Sequence, residues 1–171
     1  ISRKGKKYKL KSEISYCGKW HKWKAKNCKD LTESDREKIL TISTPENFPM
    51  ARYTSPPAQN VSIEAEVDCS HFTHEIYHRL GIDFPYVSTS VMNCLNNFKE
   101  VSESEAKIGD LVLYRTHVGI LDKDGIVISA TKGGPRRRST LKITDPDFLP
   151  SITKYNIKTF GPFKLLRWSC K

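Results

Sequence analysis

One cysteine and one histidine in this chain have the residue types of a nucleophile and its base. Cys69 opens the segment VDCSHFTHEIYHRL (67–80), in which apolar residues recur on the cysteine's face at about 100° per residue, the period of an amphipathic helix. The positive end of the helix dipole favours a thiolate in the first turn. His117, 48 positions further on (117 minus 69), lies within the apolar stretch LVLYRTHVGIL and is the candidate base.

The elements that must position this pair are a helix and a hairpin. Asp68 is a candidate N-cap and Gly81 lies where a helix ends, so the stretch Val67–Leu80 predicts a helix with Cys69 in its first turn. His117 begins a predicted strand, which a DKDG turn joins to the next one. A cysteine at a helix start and a distant histidine on a strand is the papain-type arrangement.

The remaining elements are expected to complete an α+β fold in which the nucleophile helix packs on a mostly antiparallel sheet. We expect a helix over 30–42, capped by Ser34 and Glu37, then an irregular connection over 43–60 and a short helix near Val91–Leu95. The predicted strands are 110–114, 117–121, 126–130, 141–143 and 163–168.

The charge is concentrated at one end of the chain. The net charge is +10, and residues 1–30 hold eleven Lys and Arg against two acidic residues. A basic arm with interleaved aromatics is suited to an anionic wall polymer or a membrane surface, although a solubilising extension is an open alternative. No nucleic-acid motif accompanies the charge, so specific nucleic-acid binding is not expected. We place this extension at 1–45 and the main domain at 46–171.

The five cysteines bear on the compartment. If Cys69 is kept free, Cys17, Cys28, Cys94 and Cys170 form an even set, and Cys17 with Cys28 would close a short loop. The pairing is not fixed by the sequence, and five reduced thiols or a zinc knuckle from Cys17, His21 and Cys28 stay open. No run of eighteen apolar residues is present, so no segment is expected to span a membrane. There is no initiating Met and no signal-peptide pattern, which suggests a processed form whose signal segment is already absent. Two disulfides would indicate an oxidising compartment, and we expect an exported protein, periplasmic or secreted.

Four short motifs occur in one order with compatible spacing. Together they resemble the NlpC-type papain-like cell-wall peptidases over about residues 50–171. The motifs are Asp68-Cys69-Ser70, Gly81-Ile82-Asp83-Phe84-Pro85, Gly109-Asp110-Leu111-Val112 and His117-Val118-Gly119-Ile120.

The resemblance implies a cysteine peptidase that hydrolyses the γ-D-glutamyl to diamino-acid bond of peptidoglycan stem peptides, without metal or cofactor. Cys69 corresponds to the nucleophile and His117 to the base. The family's third catalytic residue, often a histidine twelve positions after the base, falls on Ser129, which can hydrogen-bond the imidazole Nδ1 but carries no charge. The expected substrate-binding residues are Tyr53, Asp68, Ser70, Ser88 and Arg136.

Two departures from the family pattern keep other functions open. His71 replaces the usual glycine after D-C-S, and Ser129 replaces the usual third residue. An amidase cutting between the sugar and the first alanine is one alternative, and a non-catalytic wall-binding protein is another. We expect a monomer that binds peptidoglycan or its muropeptides. The row His71, His74 and His78 is interpreted as a solvated helix face, with a zinc site as the alternative.

Overall fold

The fold is an antiparallel sheet with the cysteine-bearing helix packed on it. The computed structural model describes residues 17–44, 47–48, 68–131 and 152–171, and the backbone alone of 52–53 and 66–67. The α-helices are α1 (Glu33–Ile42) and α2 (Cys69–Arg79), and 3₁₀ helices cover Gly18–Lys22, Thr89–Cys94, Glu103–Glu105 and Lys123–Gly125. The strands are β1 (Arg52–Tyr53), β2 (Glu66–Val67), β3 (Phe98–Val101), β4 (Leu111–Tyr114), β5 (Val118–Leu121), β6 (Ile126–Ala130), β7 (Ile152–Asn156) and β8 (Phe163–Trp168).

The main sheet has six strands in the order β3-β8-β4-β5-β6-β7, and every neighbouring pair is antiparallel. β1 and β2 form a separate parallel pair. β4 and β5 are buried along their whole length because apolar side chains cover both faces. The predicted α+β fold with a nucleophile helix on a mostly antiparallel sheet is confirmed.

Helix α2 forms where the sequence predicts it, for local reasons. The Asp68 carboxylate accepts a hydrogen bond from the His71 backbone N–H at 2.8 Å, which caps the first turn. Gly81 has a φ of +81°, a conformation that glycine adopts without strain and that ends the helix. Phe72 and Ile76 are fully buried on the face that packs against the sheet.

Three local predictions need correction. The capping box of α1 is formed by Thr32 and Asp35 rather than by Ser34 and Glu37, so the helix begins at Glu33. The short helix near Val91–Leu95 is a 3₁₀ helix over Thr89–Cys94. Strands β1, β2, β3 and β7 are additional to those predicted, and β1 lies within the connection expected to be irregular. The strand expected near 141–143 lies outside the described residues.

Two disulfides join the N-terminal part of the described chain to the main sheet region. Cys17 bonds Cys94 and Cys28 bonds Cys170, while Cys69 is a free, buried thiol. The suggested Cys17–Cys28 loop is therefore wrong, and these disulfides also leave no thiolates there for the zinc knuckle. The division into 1–45 and 46–171 stays a prediction.

A buried ionic cluster fixes α1 to the sheet. The Asp110 carboxylate accepts bonds from Arg36 at 3.1 Å and from Arg167 at 3.1 and 2.8 Å. The Lys107 backbone N–H adds a bond of 2.8 Å, and the Asp110 side chain is 1 % exposed. We call Asp110, Arg36 and Arg167 the charged cluster. The charged cluster explains why an aspartate immediately precedes β4.

Among the described residues, the helices are too short and too polar to cross a lipid bilayer.

Candidate active site

The thiol of Cys69 lies where α2 meets the sheet. Its Sγ is 3.5 Å from Oγ1 of Thr89, the first residue of the 3₁₀ helix Thr89–Cys94. The backbone N–H of Val118, the first residue of β5, lies near enough to the thiol to lower its pKa. His117 immediately precedes Val118, so the fold brings the predicted nucleophile and the residue next to its predicted base into contact.

The environment of the thiol differs from the expected one. Burial raises the pKa of the Cys69 thiol, and hydrogen bonds from Thr89 and from the backbone N–H groups of Val118 and Ser70 oppose this effect only in part. Burial thus acts against the thiolate that a helix start favours. A thiol whose pKa is raised needs a base to become a nucleophile.

The imidazole of His117 is held by two hydroxyl groups. Nε2 lies 2.7 Å from Oγ of Ser129 and 2.8 Å from Oη of Tyr155. The two hydroxyl oxygens are 2.9 Å apart, so the three groups form a closed triangle, which we call the hydroxyl cluster. Ser129 was expected to contact Nδ1 and contacts Nε2 instead. Among the described residues Nδ1 has no hydrogen-bond partner, and this is the nitrogen available to a thiol proton.

The glycine in the H-V-G-I motif makes room for Tyr155. A Cβ at residue 119 would lie 2.9 Å from the Tyr155 hydroxyl oxygen and 2.3 Å from Cγ1 of Val127. Tyr155 reaches this space because β7 pairs with β6 in the register that sets it opposite Val127. A side chain at position 119 would therefore displace the hydroxyl from the imidazole.

His117 is half-buried beside aromatic rings. The ring of Phe160 lies 4.8 Å, centroid to centroid, from the rings of both His117 and Tyr155. Burial lowers the pKa of His117 to about 4 and raises that of Tyr155. At neutral pH the imidazole is therefore uncharged, as a proton acceptor must be.

Thiol and imidazole have no direct hydrogen bond in the described structure. The Cys69 thiol lies near the backbone of Val118, the residue that follows His117. Catalytic hydrogen bonds are often long in a free enzyme and shorten when substrate binds. The arrangement supplies a nucleophile, a neutral base and hydroxyl groups that orient the base.

Two of the five predicted substrate-binding residues adjoin the thiol directly. Asp68 precedes Cys69, and its carboxylate accepts a bond of 3.1 Å from the hydroxyl of Ser70. Tyr86 also points its hydroxyl at Asp68, at 3.5 Å. Burial raises the pKa of Tyr86 to about 12.

Ser88, Tyr53 and Arg136 have other positions. Ser88 is exposed and its hydroxyl lies 2.9 Å from that of Ser90, just before the 3₁₀ helix that carries Thr89. For Tyr53 only the backbone is described, in β1 and paired with Val67 of β2. Arg136 lies outside the described residues.

The histidine face of α2 is less solvated than expected. His78 is exposed, but the His74 side chain is only 16 % exposed. The His71 ring stacks on Tyr86 at 5.3 Å, and the His74 ring meets Phe84 edge-on at 5.4 Å. In the described part of the chain, His, Cys, Asp and Glu form no group of three that could hold a metal ion.

Tyr155, Tyr86 and Thr89 are the site residues that the sequence analysis did not identify. Tyr155 lies in strand β7, whose alternation of buried and exposed residues (ITKYN) is a weak signal for an edge strand. Tyr86 and Thr89 lie in an irregular segment without periodicity. Their contacts with Asp68 and Cys69 depend on how the chain returns over α2, which local sequence does not encode.

The fold and the site together define a papain-like domain in which a cysteine begins a helix and a histidine immediately precedes a strand of the sheet. The model of the NlpC/P60 family matches residues 55–146, more than half of the chain. The chain belongs to the NlpC/P60 family, as the motifs predicted. No curated protein matches the sequence.

Solved structures of this family have the same fold. NlpC1 from Trichomonas vaginalis superposes with a TM-score of 0.56 at 18 % identity, covering 86 % of this chain and 47 % of that chain. The NlpC/P60 domain of the peptidoglycan hydrolase SagA gives 0.52 at 17 %, covering 79 % and 98 %. A lipoprotein-like NLP/P60 protein from Staphylococcus aureus gives 0.53 at 18 %, covering 85 % and 45 %. This chain thus spans less than half of two of these proteins and nearly all of the SagA domain.

Proposed function

We propose that this protein is a cysteine endopeptidase that hydrolyses peptidoglycan stem peptides at the γ-D-glutamyl to diamino-acid bond. Membership of the NlpC/P60 family and the likeness to the peptidoglycan hydrolase SagA support a cell-wall hydrolase. The observation that carries the proposal is the hydroxyl cluster. It holds His117 by Nε2 and leaves Nδ1 for the thiol, whose backbone contact is the next residue, Val118.

The proposed chemistry is acyl transfer through a thioester. Nδ1 of His117 takes the proton of Cys69 as the sulfur attacks the glutamyl carbonyl carbon. The free backbone N–H groups at the start of α2 are placed to stabilise the oxyanion. The imidazolium then returns its proton to the departing amine. Water, deprotonated by the same imidazole, attacks the thioester and releases the glutamyl carboxylate and the thiol.

Ser129 and Tyr155 serve in this scheme as positioning residues. When Nδ1 is the base, Nε2 carries the proton and donates a hydrogen bond to their oxygens. These contacts fix the plane of the ring. Neither hydroxyl carries a charge, so they stabilise the imidazolium less than a carboxylate would. The proposed enzyme therefore starts from a neutral thiol and a neutral imidazole.

The test is digestion of purified peptidoglycan and of defined stem peptides, with the products identified by mass spectrometry. We expect products cut after D-glutamate with the wild-type protein. We expect none with Cys69→Ala or with Cys69→Ser, which keeps the size of the side chain and replaces the nucleophile. Cleavage between the sugar and alanine would instead establish an amidase, and binding without turnover would leave a non-catalytic wall-binding protein.

The remaining assignments follow from this proposal. A wall hydrolase meets its substrate outside the cytoplasm, and two disulfides are typical of an oxidising compartment, so we propose an exported protein. The basic N-terminal residues would bind anionic wall polymers or a membrane, and the protein would act as a monomer. A salt-dependent sedimentation assay with walls and anionic vesicles tests the binding, and sedimentation velocity tests the oligomeric state.

A further inference from the structure

A cavity of about 340 Å³ lies beside the thiol, and the proposed mechanism does not use it. One wall is the 3₁₀ helix Thr89–Cys94. The other wall is the end of the sheet at which strand β4 ends and strand β8 begins. This volume suits a group the size of one amino-acid residue rather than a long polymer.

The cavity adjoins both halves of the candidate active site. Thr89 lines it, and the hydroxyl of this residue is 3.5 Å from the Cys69 sulfur. Arg115, in the turn between β4 and β5, also lines it and lies two positions before His117. Thr89 and Arg115 therefore link the cavity to the thiol and to the segment that carries His117.

The charges around the cavity have one sign. Arg115 and Lys164 both line it, and none of its lining residues is acidic. Lys164 is the antiparallel partner of Leu113, so the two side chains project to the same face of the sheet. Within the described part of the chain, neither cation forms an ion pair with an acidic residue.

Neutral hydrogen-bonding groups complete the lining. Ser90 and Asn93 lie on the 3₁₀ helix opposite the two cations, and the Ser90 hydroxyl is oriented by that of Ser88 at 2.9 Å. Arginine can bind both oxygens of a carboxylate at once, and lysine adds a point charge. The composition is that of a site for a single carboxylate.

We propose that this cavity binds a substrate carboxylate next to the scissile bond, through Arg115 and Lys164. The inference rests on the proposed function. A γ-glutamyl linkage uses the side-chain carboxyl and leaves the α-carboxylate of that residue free, and the diamino acid that leaves has a carboxylate of its own. Both are within one residue of the bond that is cut.

The test measures binding separately from turnover. Calorimetry with the Cys69→Ala protein uses the peptide L-Ala-γ-D-Glu-diamino acid in three forms: both carboxylates free, the glutamyl α-carboxylate amidated, and the diamino-acid carboxylate amidated. Arg115→Gln and Lys164→Gln are each added to this background. Lys123→Gln is the matched control, because Lys123 is an exposed cation in the turn at the other end of β5.

We expect each cavity variant to weaken binding of the free peptide by roughly tenfold, since each removes a charged hydrogen bond. The same variants should not weaken binding further when the carboxylate that occupies the cavity is amidated. The amidated peptide for which the variants show no further loss identifies which of the two carboxylates binds in the cavity. Lys123→Gln should bind like the parent protein.

Two results would overturn the inference. One is an equal loss of affinity for all three peptides, and the other is no loss for any of them. Turnover by the protein with Cys69 intact is recorded in parallel. Charge-dependent binding without turnover would refute the proposed endopeptidase and support the carboxylate site. Turnover that is unchanged in the Arg115 and Lys164 variants would support the endopeptidase and refute the carboxylate site.

Discussion

Two buried polar clusters lie at opposite ends of the β4–β5 pair. They differ in how their polar groups are stabilised away from water. The charged cluster places the Asp110 carboxylate between Arg36 and Arg167, so its charge is neutralised by direct ion pairs. The hydroxyl cluster surrounds His117 with Ser129 and Tyr155 and contains no acidic residue.

The difference indicates a structural role for the charged cluster and a chemical role for the hydroxyl cluster in the proposed mechanism. A carboxylate bonded by two guanidinium groups keeps its charge and locks α1 to the sheet. An imidazole bonded only by hydroxyls stays neutral, and the pKa of His117 falls to about 4 because burial is not offset by a partner charge. The first cluster joins two elements of the fold, and in the proposed mechanism the second gains a proton during catalysis.

The largest effect is expected from breaking the charged cluster. Asp110→Ala leaves Arg36, whose side chain is 7 % exposed, without its buried partner, and should lower the free energy of unfolding by about 3–5 kcal/mol. Ser129→Ala is the control and should cost about 1 kcal/mol. Denaturant unfolding of the disulfide-intact proteins measures both, and equal losses would remove the distinction.

The second expected effect concerns the acid limit of activity, which is the pH below which activity is lost. His117 acts as a base only when neutral, and its pKa is lowered from 6.5 to about 4, so activity is present above about pH 4 and is lost as the pH falls through that value. The pH profile of kcat/KM measures this limit. A limit near 6.5 would mean that the site is open to water or holds a partner charge.

Introducing a charge into the hydroxyl cluster should move this limit. Ser129→Asp places a carboxylate beside the imidazole and favours its protonated form, so the acid limit should rise by roughly one pH unit or more. Ser129→Asn has the same size without the charge and should leave the limit near that of the wild type. Equal pH profiles for the two variants would contradict the electrostatic explanation.

A smaller effect is expected from the tyrosine. Tyr155→Phe keeps the ring and removes one hydroxyl contact with His117, so kcat should fall by about fivefold, near 1 kcal/mol, with KM unchanged. Because Ser129 contacts the same nitrogen, each single variant leaves one acceptor for Nε2–H, and the double variant with Ser129→Ala should lose more than the product of the single effects. Strict multiplicativity, or a change confined to stability, would assign Tyr155 a packing role only.

The smallest effect is expected from a charge pair on the surface near the charged cluster. Lys107 Nζ and Glu33 Oε1 are 3.7 Å apart, with side chains 54 % and 81 % exposed. Lys107→Gln should change the free energy of unfolding by less than about 0.5 kcal/mol, because solvent screens exposed pairs. A loss above that of Ser129→Ala would show that ion pairing here does not depend on burial.

Much of the fold was predictable where its cause is local. Helix α2, its Asp68 cap and the 126–130 strand follow from short-range periodicity and capping chemistry. The cap of α1 was displaced by two residues because Ser34 and Thr32 are both suitable capping residues. Strand β7 was missed because its exposed edge face weakens the alternation that identifies strands.

The sequence by itself determined the nucleophile helix, the hairpin that carries His117 and the family, because these depend on residues close together along the chain. Only the tertiary structure decided which groups hold the imidazole. Tyr155 is 38 positions from His117 and reaches it through the register of β6 and β7 and the space left by Gly119. It also decided that the pKa of the thiol is raised, because desolvation depends on everything packed around a group, not on its neighbours in sequence.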